Sequence, residues 1–393
     1  MKFAHISDCH IGGWIEEKLK ELGINAFKTA VNICLKENVD FVIIAGDLFN
    51  TAIPQIDLIK QATVELKRLK DENIGIYLVP GSHDFSPSGK TILDVFEKAG
   101  LVTNVYRQFE NNLKFTIDKK TNTKITGMLG LRASLELSRF DNLNKEELER
   151  EEGFKIFILH SGITEFMPSN LPFTALSLGL LPKNFNYYAA GHVHYVFTKE
   201  IGKNSIVAYP GPLFPNNFSE LESLEHGGFY IVDEKLNIKR EEIKLKEVLK
   251  VKINADNKSP YQIEEELKNV KDVKDKIVLI RVEGGLKEGN PSDINFNLNN
   301  LKDAYIVLKN TGKLTSKEYE EIKVEDKVED IELRVIEENK ELINDFKISE
   351  VINLLNIMNK EKEEGETVND FENRLKEDVK NGLKIMDLFE NEN

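Results

Sequence analysis

With 393 residues, 53 Lys and Arg against 67 Asp and Glu, and a formal net charge of -14, the chain is too long for one ordinary core and too acidic to wrap nucleic acid by bulk charge alone. No run of about eighteen uncharged apolar residues occurs, and MKFAHISD enters a strand directly, so a soluble cytoplasmic protein without membrane association is expected. Two cysteines, Cys9 and Cys34, exclude a disulfide framework and a Cys-rich zinc site, leaving nitrogen and oxygen to hold any metal.

In chain order, KFAHIS reads as a strand, GINAFKTAVNICLKENV as a helix, FVIIAG as a strand, Gln55 to Asn73 as a helix and IYLVP as a strand. This β-α-β-α-β series predicts buried parallel strands with right-handed crossovers, an α/β class. Shorter runs follow: NLKFTID, KITGMLGL, KIFILH and YYAAGH. Two hairpins come next, with turns near Gly202–Asn204 and Glu234–Leu236, so the sheet becomes mixed or a second sheet packs on the first. Charged residues then rise from 52 of the first 230 to 68 of the last 163. VLKVKINA, SPYQIEEELKNVK, KIVLIRVEGG, AYIVLKN and IELRVIEE read as a small α+β unit, and from about Ser349 the chain turns helical.

The polar residues fall at strand ends. KFAHIS leads to Asp8-Cys9-His10, FVIIA to Gly46-Asp47, IYLVP to Gly81-Ser82-His83-Asp84, KIFIL to His160, and YYAA to Gly191-His192-Val193-His194. Ligands bind at the carboxyl ends of parallel strands, and packing alone would not ask for histidine there repeatedly. Two metal ions held roughly 3.5–4 Å apart need this set: a carboxylate able to bridge, several neutral imidazoles and open positions. A mixed His/Asp set suits Mn²⁺, Fe²⁺ or Zn²⁺ better than Ca²⁺ or Mg²⁺, and the chemistry it indicates is hydrolysis of a phosphate ester.

The series D8-C-H10-I-G, A-G46-D47-L-F, P-G81-S-H83-D84, H160-S-G and A-A-G191-H-V-H194 resembles the motifs of the calcineurin-like metallophosphoesterases. HISDCHIG, AGDLFN, YYAAGHVH and AYPGP followed by HGGFYIVDE are similar to SbcD-type exonucleases, the nuclease subunit of a double-strand-break repair complex. The resemblance covers residues 1–233. It implies a four-layer metallophosphoesterase sandwich of two mixed sheets flanked by helices, with a smaller α+β cap domain and a helical C-terminal tail. It implies that Asp8, His10 and His194 bind one metal, that His160 and His192 bind the other, and that Asp47 bridges them. His83 would face the scissile phosphate, with Asp84 orienting it from behind. Ser82 stands where the family has Asn completing the second metal's shell, so it ligates directly, holds a ligating water, or leaves that site weakened.

The expected domains are 1–245, a nuclease domain; 246–340, a DNA-binding cap; and 341–393, a helical segment that docks an SbcC-type coiled-coil ATPase. Two divalent ions, Mn²⁺ foremost, a DNA substrate and a homodimer complete the expectation. A phosphodiesterase or phosphatase acting on a small molecule or an RNA end is the alternative, and a catalytically weakened DNA-binding scaffold subunit is a third reading. In the tail, Val351, Leu354, Leu355 and Met358 form one apolar helical stripe, and Phe371, Leu375, Val379, Leu383 and Met386 another. His5 reads as a buried core histidine, and Cys9 and Cys34 as packing. Ser88-Gly89-Lys90-Thr91 mimics the end of a P-loop, but the position that needs the earlier glycine is Asp84.

Overall fold

The computed structural model describes residues 1–85, 91–106, 108–109, 112–167 and 175–316, and beyond them 351, 353–354, 357–358, 360 and 368–383. The P-loop mimic at Ser88 to Lys90, the strand expected at IELRVIEE and the division at 340/341 lie outside the described residues. By its contacts the chain divides into two compact units, Met1–Ser316 and Lys317–Asn393.

The apolar alternation at the N-terminus becomes β1 (Lys2–Ile6), α1 (Glu17–Lys36), β2 (Phe41–Ala45), α2 (Ile56–Asp71), β3 (Gly75–Val79), α3 (Ile92–Lys98) and β4 (Thr103–Asn104), whose strands pair in parallel. Helix α1 starts six residues before the expected Gly23, because Leu19 and Leu22 extend its buried stripe and Gly23 faces open space. A ribbon of β5 (Gln108–Phe109) and β6 (Asn112–Leu113) leads to a second sheet. That sheet holds β7 (Thr116–Ile117), β8 (Lys124–Met128), β9 (Lys155–His160), β10 (Tyr187–Gly191), β11 (Phe197–Gly202) and β12 (Ser205–Tyr209) in spatial order β11-β12-β10-β9-β8-β7. Short helices α4 (Leu137–Asp141) and α5 (Glu146–Arg150) lie between β8 and β9 in sequence. After α6 (Phe218–Leu224), β13 (Gly227–Asp233) and β14 (Ile238–Ile243) return to the first sheet, giving the order β14-β13-β1-β2-β3-β4.

Both sheets are mixed, since β13 and β14 join antiparallel at one edge and β11 and β7 do so in the other sheet. Strand β2, FVIIA, is buried at all five positions because one face meets helices and the other meets a sheet. Between the sheets, Phe3, Phe41, Ile43 and Val79 pack with Ile125, Ile156 and Ile158. Outside them, Phe27, Val31 and Leu66 cover Ile44 and Leu78, while Phe140 and Leu148 pack with Phe157 and Leu159. Each such side chain contributes roughly 1.5–3 kcal/mol by burial, so the sandwich is a rigid frame for the strand ends. The fold class is the expected one: mixed α/β, two mixed sheets flanked by helices.

A three-stranded parallel sheet follows, formed by β15 (Val248–Asn254), β16 (Ile277–Gly285) and β17 (Ile306–Thr315), with α7 (Pro260–Lys268) between the first two in sequence. Ser259 caps α7 in a capping box with Gln262, and Pro260 takes the first helical position, where its missing N–H costs nothing. Ile253, Ile263, Leu267, Ile280 and Val282 form its separate core. In the C-terminal unit, α8 (Val368–Leu383) half-buries Phe371, Leu375 and Val379. Met358, expected on the first stripe, is 68% exposed, and its neighbour Ile357 is buried. Leu355 and Met386, and the side chain of Leu383, lie outside the described residues.

Candidate metal centre

Strands β1, β2, β3, β9 and β10 end at one place, and the turns beyond them are tight. Asp8, His10, Asp47 and His192 all have positive φ, between 40° and 85°, a conformation that side chains rarely adopt and that concentrates at functional sites. Gly46 reaches φ 84°, and a Cβ there would stand 2.1 Å from His160 Nδ1. A Cβ on Gly81 would stand 2.2 Å from Asp47 Oδ1, so both glycines are dictated by close approach to the polar groups.

Asp8 is fully buried, and its Oδ1 accepts the backbone N–H of His192 at 2.9 Å. Asp47 Oδ1 accepts the N–H of His83 at 2.8 Å, while its Oδ2 lies 3.0 Å from His160 Nε2 and 3.7 Å from His10 Nε2. Ligand atoms of Asp8, His10 and His194 fall within 4.8 Å of one another, as do those of Asp8, Asp47 and His160, and those of His10, Asp47 and His83. The ring of His192 stands 5.0 Å from that of His160. Ser82 is buried between Gly81 and His83.

The hydrogen bonds fix which nitrogen of each ring faces inward. His160 Nδ1 lies 2.8 Å from the Ala45 carbonyl, which can only accept, so the proton sits on Nδ1 and Nε2 points into the site. His10 Nδ1 meets Asn50 Oδ1 at 3.2 Å and His194 Nδ1 meets Glu220 Oε1 at 2.8 Å. Their Nε2 atoms consequently face each other 3.0 Å apart. Two neutral imidazoles would oppose lone pairs at that distance; a proton or a cation must come between. Asp8 Oδ2 is buried with no hydrogen-bond partner among the described residues, and the buried His160 Nε2 faces Asp47 Oδ2 at 3.0 Å, an arrangement costly for an empty core and natural for ligand atoms.

The electrostatics agree. Burial would raise Asp8 and Asp47, but His194 beside the first and His160 beside the second hold both carboxyls below the ordinary range. Burial likewise opposes protonation of His160 and His194, yet Asp47 lifts His160 to about 9, and Asp8 with Glu220 lifts His194 to about 10. His10 and His192, where burial prevails, fall to about 4. Without metal, protons on two imidazoles balance two carboxylates, and divalent cations would displace them. The donor set of imidazoles and carboxylates therefore fits the metals expected from the sequence.

Asp84 departs from expectation. Its Oδ2 accepts the N–H groups of Gly81 and Leu48 at 3.1 and 3.3 Å, and its Oδ1 that of Phe49 at 3.2 Å, so it pins the loops after β2 and β3 together instead of standing behind His83. Burial and the charge of Asp47 push its carboxyl up to about 7. His83 is oriented by the Asn50 carbonyl, 2.9 Å from Nδ1. Asn50 and Glu220 are the residues that strand-end reasoning missed. Glu220 had one signal, the spacing Asn217-x-x-Glu220 of a helix N-terminus; Asn217 does cap α6, accepting the Glu220 N–H at 3.0 Å.

Two mixed sheets whose strands deliver histidines and aspartates to a common end define the metallophosphoesterase class. The chain belongs to the calcineurin-like phosphoesterases, a family whose pattern matches residues 1–196. Its relatives are DNA double-strand break repair proteins called Mre11. It is 29% identical over 239 residues to that of Saccharolobus solfataricus, covering 59% of this chain and 60% of that one. It is 30% identical over 287 residues to that of Thermoplasma acidophilum, covering 69% and 73%. To that of Archaeoglobus fulgidus it is 29% identical over 226 residues, covering 54% and 49%. The match thus spans only about half to three fifths of the first and last of these proteins.

Proposed function

We propose that the chain is a dinuclear-metal DNA nuclease, an exonuclease or endonuclease, that hydrolyses phosphodiester bonds in double-strand-break repair. The observation carrying this reading is the cluster of Asp8, Asp47 and His160 with inward-facing imidazoles, in which the buried Asp8 Oδ2 has no hydrogen-bond partner among the described residues. The names of the relatives support DNA as substrate. Asp8, His10 and His194 would hold one divalent ion, His160 and His192 with Ser82 the other, and Asp47 would bridge; Mn²⁺ is the proposed metal. When bound, the pair supplies an acidified water and charge stabilisation at phosphorus.

The chain's own residues do the rest. His83, pinned at Nδ1 by the Asn50 carbonyl, offers Nε2 as the proton-transfer atom beside the scissile phosphate. Asp84, bonded to three amides, holds the two loops that carry Asp47 and His83. Residues 1–245 would form the nuclease domain and 246–340 the DNA-binding cap. The segment 341–393 would dock an SbcC-type coiled-coil ATPase, in a cytoplasmic homodimer.

Purified chain with Mn²⁺ and end-labelled duplex DNA should release nucleotides or short fragments. Cleavage of bis-p-nitrophenyl phosphate but never of DNA would replace the DNA reading with a small-molecule phosphodiesterase. No cleavage with any divalent metal, while DNA binding persists, would leave a scaffold in which Ser82 has weakened the second site.

A further inference from the structure

His194 is tied to the three-stranded sheet through one short helix. Glu220, whose Oε1 meets His194 Nδ1, is held from the other side by the Asn216 N–H, 2.8 Å from Oε2. Two residues on, Glu222 meets Arg281 of β16 in a two-pronged pair, Nε to Oε1 at 2.7 Å and Nη2 to Oε2 at 2.6 Å. The same guanidinium lies 5.0 Å from the ring centre of Phe218 at the start of α6. Lys250 of β15 adds a contact to Glu225 at 2.5 Å, just past the helix end, and Leu221 between these grips is fully buried. The fork geometry of Arg281 fixes direction as well as distance, so α6 cannot turn without breaking it.

A ligating imidazole depends on the partner of its other nitrogen for tautomer and ring orientation. For His194 that partner rides on α6. For His160 it is the Ala45 carbonyl, which belongs to β2 and not to α6. We propose that Arg281 is a positioning residue for His194: through Glu222 and α6, the three-stranded sheet sets Glu220, and so tunes one metal position and not the other. A ligand that shifts this sheet would then reach the site through Arg281. The proposal rests on the dinuclear reading.

The test is calorimetric titration of Mn²⁺ into the full chain, with free Mn²⁺ followed by electron paramagnetic resonance, and folding of each variant checked by circular dichroism. Wild type should show two sites. Glu220→Gln should weaken one of them about 10–100-fold. Arg281→Gln and Glu222→Gln should each weaken that same site about fivefold or more. The double variant should be no worse than either single, because both changes break one link. Arg281→Gln affinities unchanged at both sites while Glu220→Gln weakens one, or equal weakening of both sites, would overturn the coupling with the dinuclear reading intact. Absence of Mn²⁺ uptake by wild type overturns the dinuclear reading and this proposal with it.

Discussion

Gly46→Ala tests the site at its tightest point. The added Cβ would lie 2.1 Å from His160 Nδ1, 2.5 Å from Cγ and 2.8 Å from Cε1, on a backbone with φ 84°. Ordinary contact begins near 3.4 Å, so the ring must retreat by about 1.3 Å and give up its 2.8 Å bond to the Ala45 carbonyl. A left-handed alanine costs about 1–2 kcal/mol and the lost hydrogen bond about 1 kcal/mol, so stability should fall by about 2–3 kcal/mol. Displacing a reactive group by about 1 Å costs on the order of 100-fold in rate. Urea unfolding, Mn²⁺ titration and turnover of bis-p-nitrophenyl phosphate measure the three effects. If Gly46→Ala keeps both Mn²⁺ affinities and turnover within about threefold of wild type, the ring is not held as described and the reasoning fails.

Asp47→Ala should abolish cleavage and weaken both Mn²⁺ sites, whereas His83→Ala should cut turnover by about 10²–10⁴-fold with Mn²⁺ content unchanged; equal metal loss in the two variants would remove His83 from its role. Ser82→Asn supplies an amide oxygen and should tighten one Mn²⁺ site by about tenfold, worth about 1.4 kcal/mol; no change on titration would mean that Ser82 does not face the metal. His5 is buried, with Nδ1 2.9 Å from Tyr187 Oη, and burial lowers its imidazole from 6.5 to about 3. The unfolded chain therefore binds a proton that the fold refuses, and stability drains as pH falls from 6.5 towards 3, by about 2 kcal/mol between pH 7 and pH 5. Urea unfolding at both pH values should show wild type losing about that much more than His5→Asn, and parallel losses would refute the assignment.

The strand-end histidines and aspartates were legible because an apolar run that ends in His or Asp has no packing reason to do so. The same logic found β1, β2, β3, β9 and β10. Asp84 was misread because it follows His83 in the chain. Adjacent side chains point apart, and the carboxylate turned instead to amides some 35 residues earlier. Asn50 orients His83 through a main-chain oxygen, which no residue type announces. Glu220 lies 26 residues from His194, on a helix too short to show a period, and only the fold brings them together.

The four left-handed residues of the site, Asp8, His10, Asp47 and His192, each store on the order of 1–3 kcal/mol of backbone strain. Bound cations would hold that spring wound. A copy stripped of them should loosen first at these loops, and amide exchange and limited proteolysis should begin there.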